Sequence, residues 1–225
     1  MVDGKIMNKL EILYEDNHII VVVKPCNIPS QADSSNDIDM LTIIKNYIKV
    51  KYQKEGNVYL GLVHRLDRPV GGVMLFAKTS KAASRLTKMV KEHSFKKTYL
   101  AVVHGMTKNE EELINKISKD KNNNSYLDDN GKEAILDYKL LKYDKENDLS
   151  VLKVNLKTGR HHQIRFQLSN INHPIYGDQR YGYQDKKQIM LYAYKLEFIH
   201  PVKKEKMVFK SIPNWDILES IKEEL

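Results

Sequence analysis

The chain has 225 residues, 41% of them apolar, enough for a substantial core, and its 37 Lys and Arg against 29 Asp and Glu leave a formal charge of +8. With a sequence pI near 9.2, that balance favours an acidic polymer as partner. The single cysteine, Cys26, excludes an intrachain disulfide and a multi-thiolate metal site and fits a reducing, cytoplasmic setting, while no targeting pattern and no apolar run of roughly 18 residues points to export or a membrane span.

In chain order, "LEILYEDNHIIVVVKP" predicts two short strands, Leu10 to Tyr14 and Ile19 to Val23, joined by Glu15, Asp16 and Asn17 and closed by Pro25. A loop from Asn27 to Asp39 precedes helical spacing at Leu41, Ile44 and Ile48. "GVMLFA", Gly72 to Ala77, is continuously apolar and reads as a central strand. Ser80 is the candidate N-cap of an amphipathic helix with Ala82, Leu86, Met89 and Val90 on one face and Lys81, Arg85 and Lys88 on another. Between Lys78 and Lys97 there are seven basic residues and one acid, Glu92, so most of the net charge sits there.

"KKTYLAVVHG" predicts a strand ended by Gly105, and the polar stretch "SKDKNNNSYLDDNGKEA" a long hairpin loop between the strand-like segments Lys97 to Val103 and Glu133 to Leu141. "LSVLKVNL" adds a strand, and Ile164, Leu168 and Ile171 have helical spacing. The glycine-rich loop "HPIYGDQRYG" leads to strands at "IMLYAYKLEFI" and "KMVFK" and a short helix from Trp215. Strands and helices without regular alternation predict an α+β fold, a mostly antiparallel mixed sheet flanked by helices. One domain of a size that suits a catalytic unit is expected over 1–225, with two lobes around a central cleft.

"HRLDRPVGGVMLFAK", His64 to Lys78, sets a charged group directly before buried core. Arg65 and Asp67 are two apart on an extended segment and project from one side while Leu66 packs behind them. That is the geometry of a site and equally of a structural ion pair.

Four stretches, "LYEDNHIIVVVKPCNIPSQ", "HRLDRPVGG", "KKTYLAVVHG" and "GRHHQIR" followed by "HPIYGD", closely resemble in order and spacing the RluA-type family of RNA pseudouridine synthases, with its patterns HRLDxxTSG, KxYxAxVxG and GRxHQIR. The resemblance runs from about Leu10 to about Phe209. It implies isomerisation of uridine in structured RNA, tRNA or rRNA, with no net gain or loss of atoms, and so no cofactor and no metal. Asp67 matches the family's aspartate, a carboxylate that stabilises the cationic sugar, bonds to it or takes a ribose proton. Tyr99 matches a tyrosine whose ring stacks on the uracil and whose hydroxyl is placed to remove the C5 proton, and Arg165 an arginine that holds the aspartate ionised.

By the same resemblance Arg65 helps fill the gap left by the flipped base, and His64, Arg160, His162 and Gln163 complete the substrate contacts. Lys81, Arg85 and Lys88 would bind phosphates without reading sequence. The chain departs from the pattern at Val70, Gly71 and Gly72, where the family has Thr-Ser-Gly, which removes any hydroxyl role there. About nine residues precede the resemblance, so the small RNA-binding domain that many members carry at that end is not expected. A monomer is expected, with neither a membrane nor DNA as partner. Two rival readings are a catalytically silent RNA-binding protein, favoured only by the Val-Gly change, and a metal-dependent hydrolase using His64, His104, His161 and His162. The histidines lack the H-x-x-x-H and H-E-x-x-H spacings that the second would need.

Overall fold

The computed structural model describes residues 10–184 and 186–225. Its chain divides into two units, Met1–Phe95 with Lys195–Ser211 and Lys96–Tyr194 with Ile212–Leu225, and the division falls inside one strand. Both carry sheet with flanking helices, the expected α+β class, and the strand pairings described below are antiparallel.

In the first unit β1 (Glu11–Glu15) pairs with β2 (Ile19–Lys24), which pairs with β4 (Gly71–Ala77); β3 (Gly61–Leu62) caps the end of β4. All seven residues of β4 are buried, which is why its sequence is apolar without alternation. Ile19 and Val21 on β2 and Val73, Leu75 and Ala77 on β4 pack with Ala82 and Leu86 of α2 (Ser80–Lys91). Leu196 and Phe198 join them from β10 (Leu191–Ile199), which pairs with β11 (Lys206–Lys210). α1 (Met40–Lys51) buries Met40, Ile43, Ile44 and Ile48, and Asp39 caps it by accepting from the Thr42 amide.

The cap of α2 is Thr79, not Ser80: Thr79 has extended backbone and its hydroxyl accepts from the Ala82 amide at 3.2 Å, so Ser80 is the first helical residue. Two adjacent hydroxyl residues made either choice open from sequence.

The second unit is an antiparallel sheet ordered β5 (Lys96–His104), β9 (Leu149–Leu156), β8 (Lys132–Asp144), β6 (Glu110–Lys119) and β7 (Ser125–Leu127). Its core contains Leu100, Val102, Val151 and Tyr194 with Leu218 and Ile221, and α3 (Gln163–Asn170) buries Ile164 and Leu168. The stretch expected to be one long hairpin loop contains the end of β6, all of β7 and the first residues of β8, and no strand is expected from the sequence at β6. With three Glu, two Lys and one Asn among its ten residues, β6 has poor strand propensity and buries only Leu113 and Ile117; pairing with β8 from Glu110 to Ile117 makes it a strand. The last element, Asp216–Glu224, is a 3-10 helix starting after Trp215.

Candidate active site

In the first unit Val63, Leu66 and Val70 are buried and anchor the "HRLD" segment, Arg65 is exposed, and Asp67 between these anchors is half-buried. The peptide groups around Asp67 are held from the loop after β2. The Ser30 hydroxyl donates to the Leu66 carbonyl at 2.7 Å and accepts from the Leu66 amide at 3.1 Å. On the other side the Lys24 ammonium donates to the carbonyls of Arg68 (3.0 Å), Pro25 (2.9 Å) and Ile28 (2.7 Å). The Asp67 carbonyl itself accepts from the Val70 amide at 2.9 Å, closing a turn. The carboxylate is therefore mounted on a backbone fixed before any substrate arrives.

Lys24 has no solvent exposure. Burial pushes its pKa down from 10.5 to about 8, opposed by the nearby Cys26 and Asp67 and reinforced by Arg68. Its strand partner is Gly72, whose φ of 122° lies where side-chain-bearing residues are strained, so the last glycine of Val70-Gly71-Gly72 serves the backbone. The Arg68 side chain turns away to Ser35 (2.9 Å) and Asp37. His64 is half-buried, and its Nε2 accepts from the Leu75 amide at 3.1 Å, tying the motif to β4.

Of the helix cations, Lys81 and Lys88 are exposed, Lys88 lying 3.8 Å from Glu92. Arg85 is half-buried and donates to the Pro201 carbonyl at 3.0 Å.

In the second unit Tyr99 is buried on β5 opposite Val154. Arg165, on α3, gives Nε and a terminal nitrogen to the two oxygens of Asp178 at 2.8 and 2.7 Å, a bidentate pair with both side chains buried. Burial raises the Asp178 pKa, but the Arg165 bonds and charge together with the Arg180 and Tyr181 amides hold it below the usual carboxylate value. The guanidinium also lies 5.4 Å from the Tyr181 ring centre. The Tyr181 hydroxyl in turn accepts from the Ser125 amide at 2.8 Å and lies 3.0 Å from His162 Nδ1.

Gln163 faces inward: its oxygen accepts from the Thr158 hydroxyl (2.8 Å) and the Arg160 amide (3.0 Å), and its nitrogen donates to Gln167 (3.0 Å). Gln167 continues to Asn115 and the Leu113 and Ala134 carbonyls, so this chain of amides fastens α3 to β6 and β8. Arg160 Nε donates to the Glu133 carbonyl at 2.7 Å.

Within the second unit Arg165, His162, Asp178 and Tyr181 form one network, and within the first the backbone around Asp67 is held by Ser30 and Lys24. Asp178 stands in the "HPIYGD" stretch and Lys24 in "VVVKP", but sequence reading gave neither a role; a carboxylate after a tight glycine turn and a lysine ending an apolar run were the available signals. Among the described residues no three His, Cys, Asp or Glu side chains are grouped to hold a metal ion, and no helix is long and apolar enough to cross a membrane.

A model of the family described as RNA pseudouridylate synthase matches residues 18–170. An Aquifex aeolicus protein named an uncharacterized RNA pseudouridine synthase is 34% identical over 231 residues, spanning 92% of this chain and 72% of its own. Ribosomal large subunit pseudouridine synthase D of Borreliella burgdorferi is 36% identical over 84% of this chain, which spans 60% of that protein. The solved structure of human RNA pseudouridylate synthase domain containing 4 shares the fold, with a TM-score of 0.79 at 19% identity over 97% of this chain and 95% of its own. With that match over most of its length and the motifs in order, the chain belongs to the RNA pseudouridylate synthase family of isomerases, in its RluA-type branch.

Proposed function

We propose that the chain converts uridine to pseudouridine in RNA, with Asp67 as the acting carboxylate and ribosomal RNA as the substrate class. The bond from uracil N1 to ribose C1′ breaks, the uracil turns, C5 bonds to C1′, and the C5 proton is lost while N1 regains one, so atoms balance without a co-reactant. A carboxylate fixed beside C1′ answers the positive charge that develops there. The observation that carries the reading is the mounting of Asp67: the peptides before and after it are each held by a buried side chain, Ser30 and Lys24.

Tyr99 presents a ring to the uracil and a hydroxyl to the C5 proton. Arg165, its plane set by Asp178, is the site's oriented cation. Gln163 acts through the N-terminal end of α3, as a positioning residue and not a substrate contact. Lys81 and Lys88 contribute phosphate contacts, and Arg65, exposed beside Asp67, is the side chain for the gap left by the flipped base. The relatives named for the ribosomal large subunit favour rRNA over tRNA.

The test is tritium release from RNA labelled at uridine C5, with wild type and Asp67→Asn on unmodified rRNA and tRNA pools. Release by wild type from rRNA and none by the variant supports the whole reading; release from tRNA alone moves the substrate class. Equal RNA binding by both proteins with no release from either pool makes the chain a binding protein of the same fold.

A further inference from the structure

Lys97 is the second lysine of "KKTYLAVVHG". It lies on β5 two positions before Tyr99, so both side chains leave the same face of the strand. Its ammonium reaches Gly159, the first residue of "GRHHQIR": a Cβ built on Gly159 would stand 3.5 Å from Lys97 Nζ and within 4 Å of no other group. Nor does the Gly159 backbone require glycine, since its φ lies outside the left-handed region. The absent side chain leaves open space against a lysine ammonium.

That ammonium is also uncompensated. Lys157, close in sequence to Gly159, is neutralised by Glu112 and Asp137, whereas the described residues give Lys97 neither an ion pair nor a hydrogen bond. Burial lowers its pKa, with no opposing charge among the causes. A desolvated cation without a counter-charge costs stability, and a fold that keeps one beside an open backbone gains from it when an anion arrives.

We propose that Lys97 and the open face of Gly159 form a phosphodiester-binding site for the RNA strand, on the Tyr99 face of β5 and distinct from the basic face of α2. A phosphate fits because it brings a full negative charge, for which a lysine is a point-charge ligand, and because a glycine lets it approach the backbone closely. The proposal deepens the reading of this chain as acting on RNA.

The experiment compares wild type, Lys97→Met, Lys97→Arg and Gly159→Ala on an unmodified large-subunit rRNA transcript. Affinity is measured across a salt series, tritium release follows turnover, and Tm is measured without RNA. Lys97→Met is expected to bind about tenfold more weakly, and its plot of log affinity against log salt to be shallower by about 1. Lys97→Arg keeps the slope. Gly159→Ala binds more weakly at unchanged Tm, and Lys97→Met melts at or above the wild-type temperature because an uncompensated charge has gone. Unchanged affinity and slope in Lys97→Met overturn the proposal, as does a fall in its Tm, which would make Lys97 a structural residue. If wild type releases no tritium yet its binding keeps the Lys97-dependent slope, the synthase reading fails and the phosphate site stands; an active wild type with an indifferent Lys97→Met gives the reverse.

Discussion

The ammonium of Lys24 donates to the carbonyl oxygen of Arg68 at 3.0 Å, fastening the residue after Asp67 to the end of β2. Its other bonds, to the Pro25 and Ile28 carbonyls, make one wholly buried side chain the tie between two loops. Lys24→Met would leave three carbonyls without their donor, at a cost of about 2–4 kcal/mol in urea unfolding at pH 7. Tritium release should fall further than stability explains, because the Asp67 backbone is freed. A variant that unfolds like wild type would sink this account.

Lys24 also predicts a pH dependence. Its pKa is about 8 folded against 10.5 in the ordinary state, so between those values the unfolded chain holds the extra proton. Stability contributed by this position therefore rises as pH climbs from about 8 to 10.5. The difference in unfolding free energy between wild type and Lys24→Met should grow across that window, and a flat difference would show the charge to be compensated.

Arg165 and Asp178 are both buried, so removing one charge strands the other. Asp178→Asn should cost about 3–5 kcal/mol, while the double variant Arg165→Met/Asp178→Leu recovers most of that stability and no activity. The double variant separates the pair's role in the fold from its role in turnover; recovered tritium release in it would exclude Arg165 from the chemistry.

Glu15 is an acid-sensitive carboxyl of the first unit, as are Asp16 and Glu197. Burial works to raise its pKa, but hydrogen bonds from Lys51, Lys78, Tyr47 and Tyr52 bring it from 4.5 down to about 2. Lowered in the folded state, it contributes stability above pH 4.5 that is lost as pH falls towards 2. Glu15→Gln should be less stable than wild type at pH 6 and show a shallower decline below pH 4.5, read by denaturant titration at each pH.

Gly72 stands at a φ of 122°, so Gly72→Ala should cost about 1–2 kcal/mol of stability through backbone strain at the start of β4. A variant as stable as wild type would show that the strand end relaxes.

By itself the sequence determined what local pattern carries. The apolar run from Gly72 to Ala77 lies within a fully buried strand, the spacing at Ile44 and Ile48 lies on α1, and the order of four motifs is enough for the family. It also placed Leu66 behind the projecting Arg65 and Asp67, because alternation along an extended segment is a local property. Tertiary structure decided which partners the polar groups take. Asp178 reaches Arg165 across 13 positions and Lys24 reaches Arg68 across 44, and no local period encodes such distances. β6, poor in strand formers, exists through its ladder with β8, and Gln163, read as a substrate contact, spends its amide on Thr158, Arg160 and Gln167. Buried polar groups must find hydrogen-bond partners wherever the fold brings them, and that requirement acts on the folded chain as a whole.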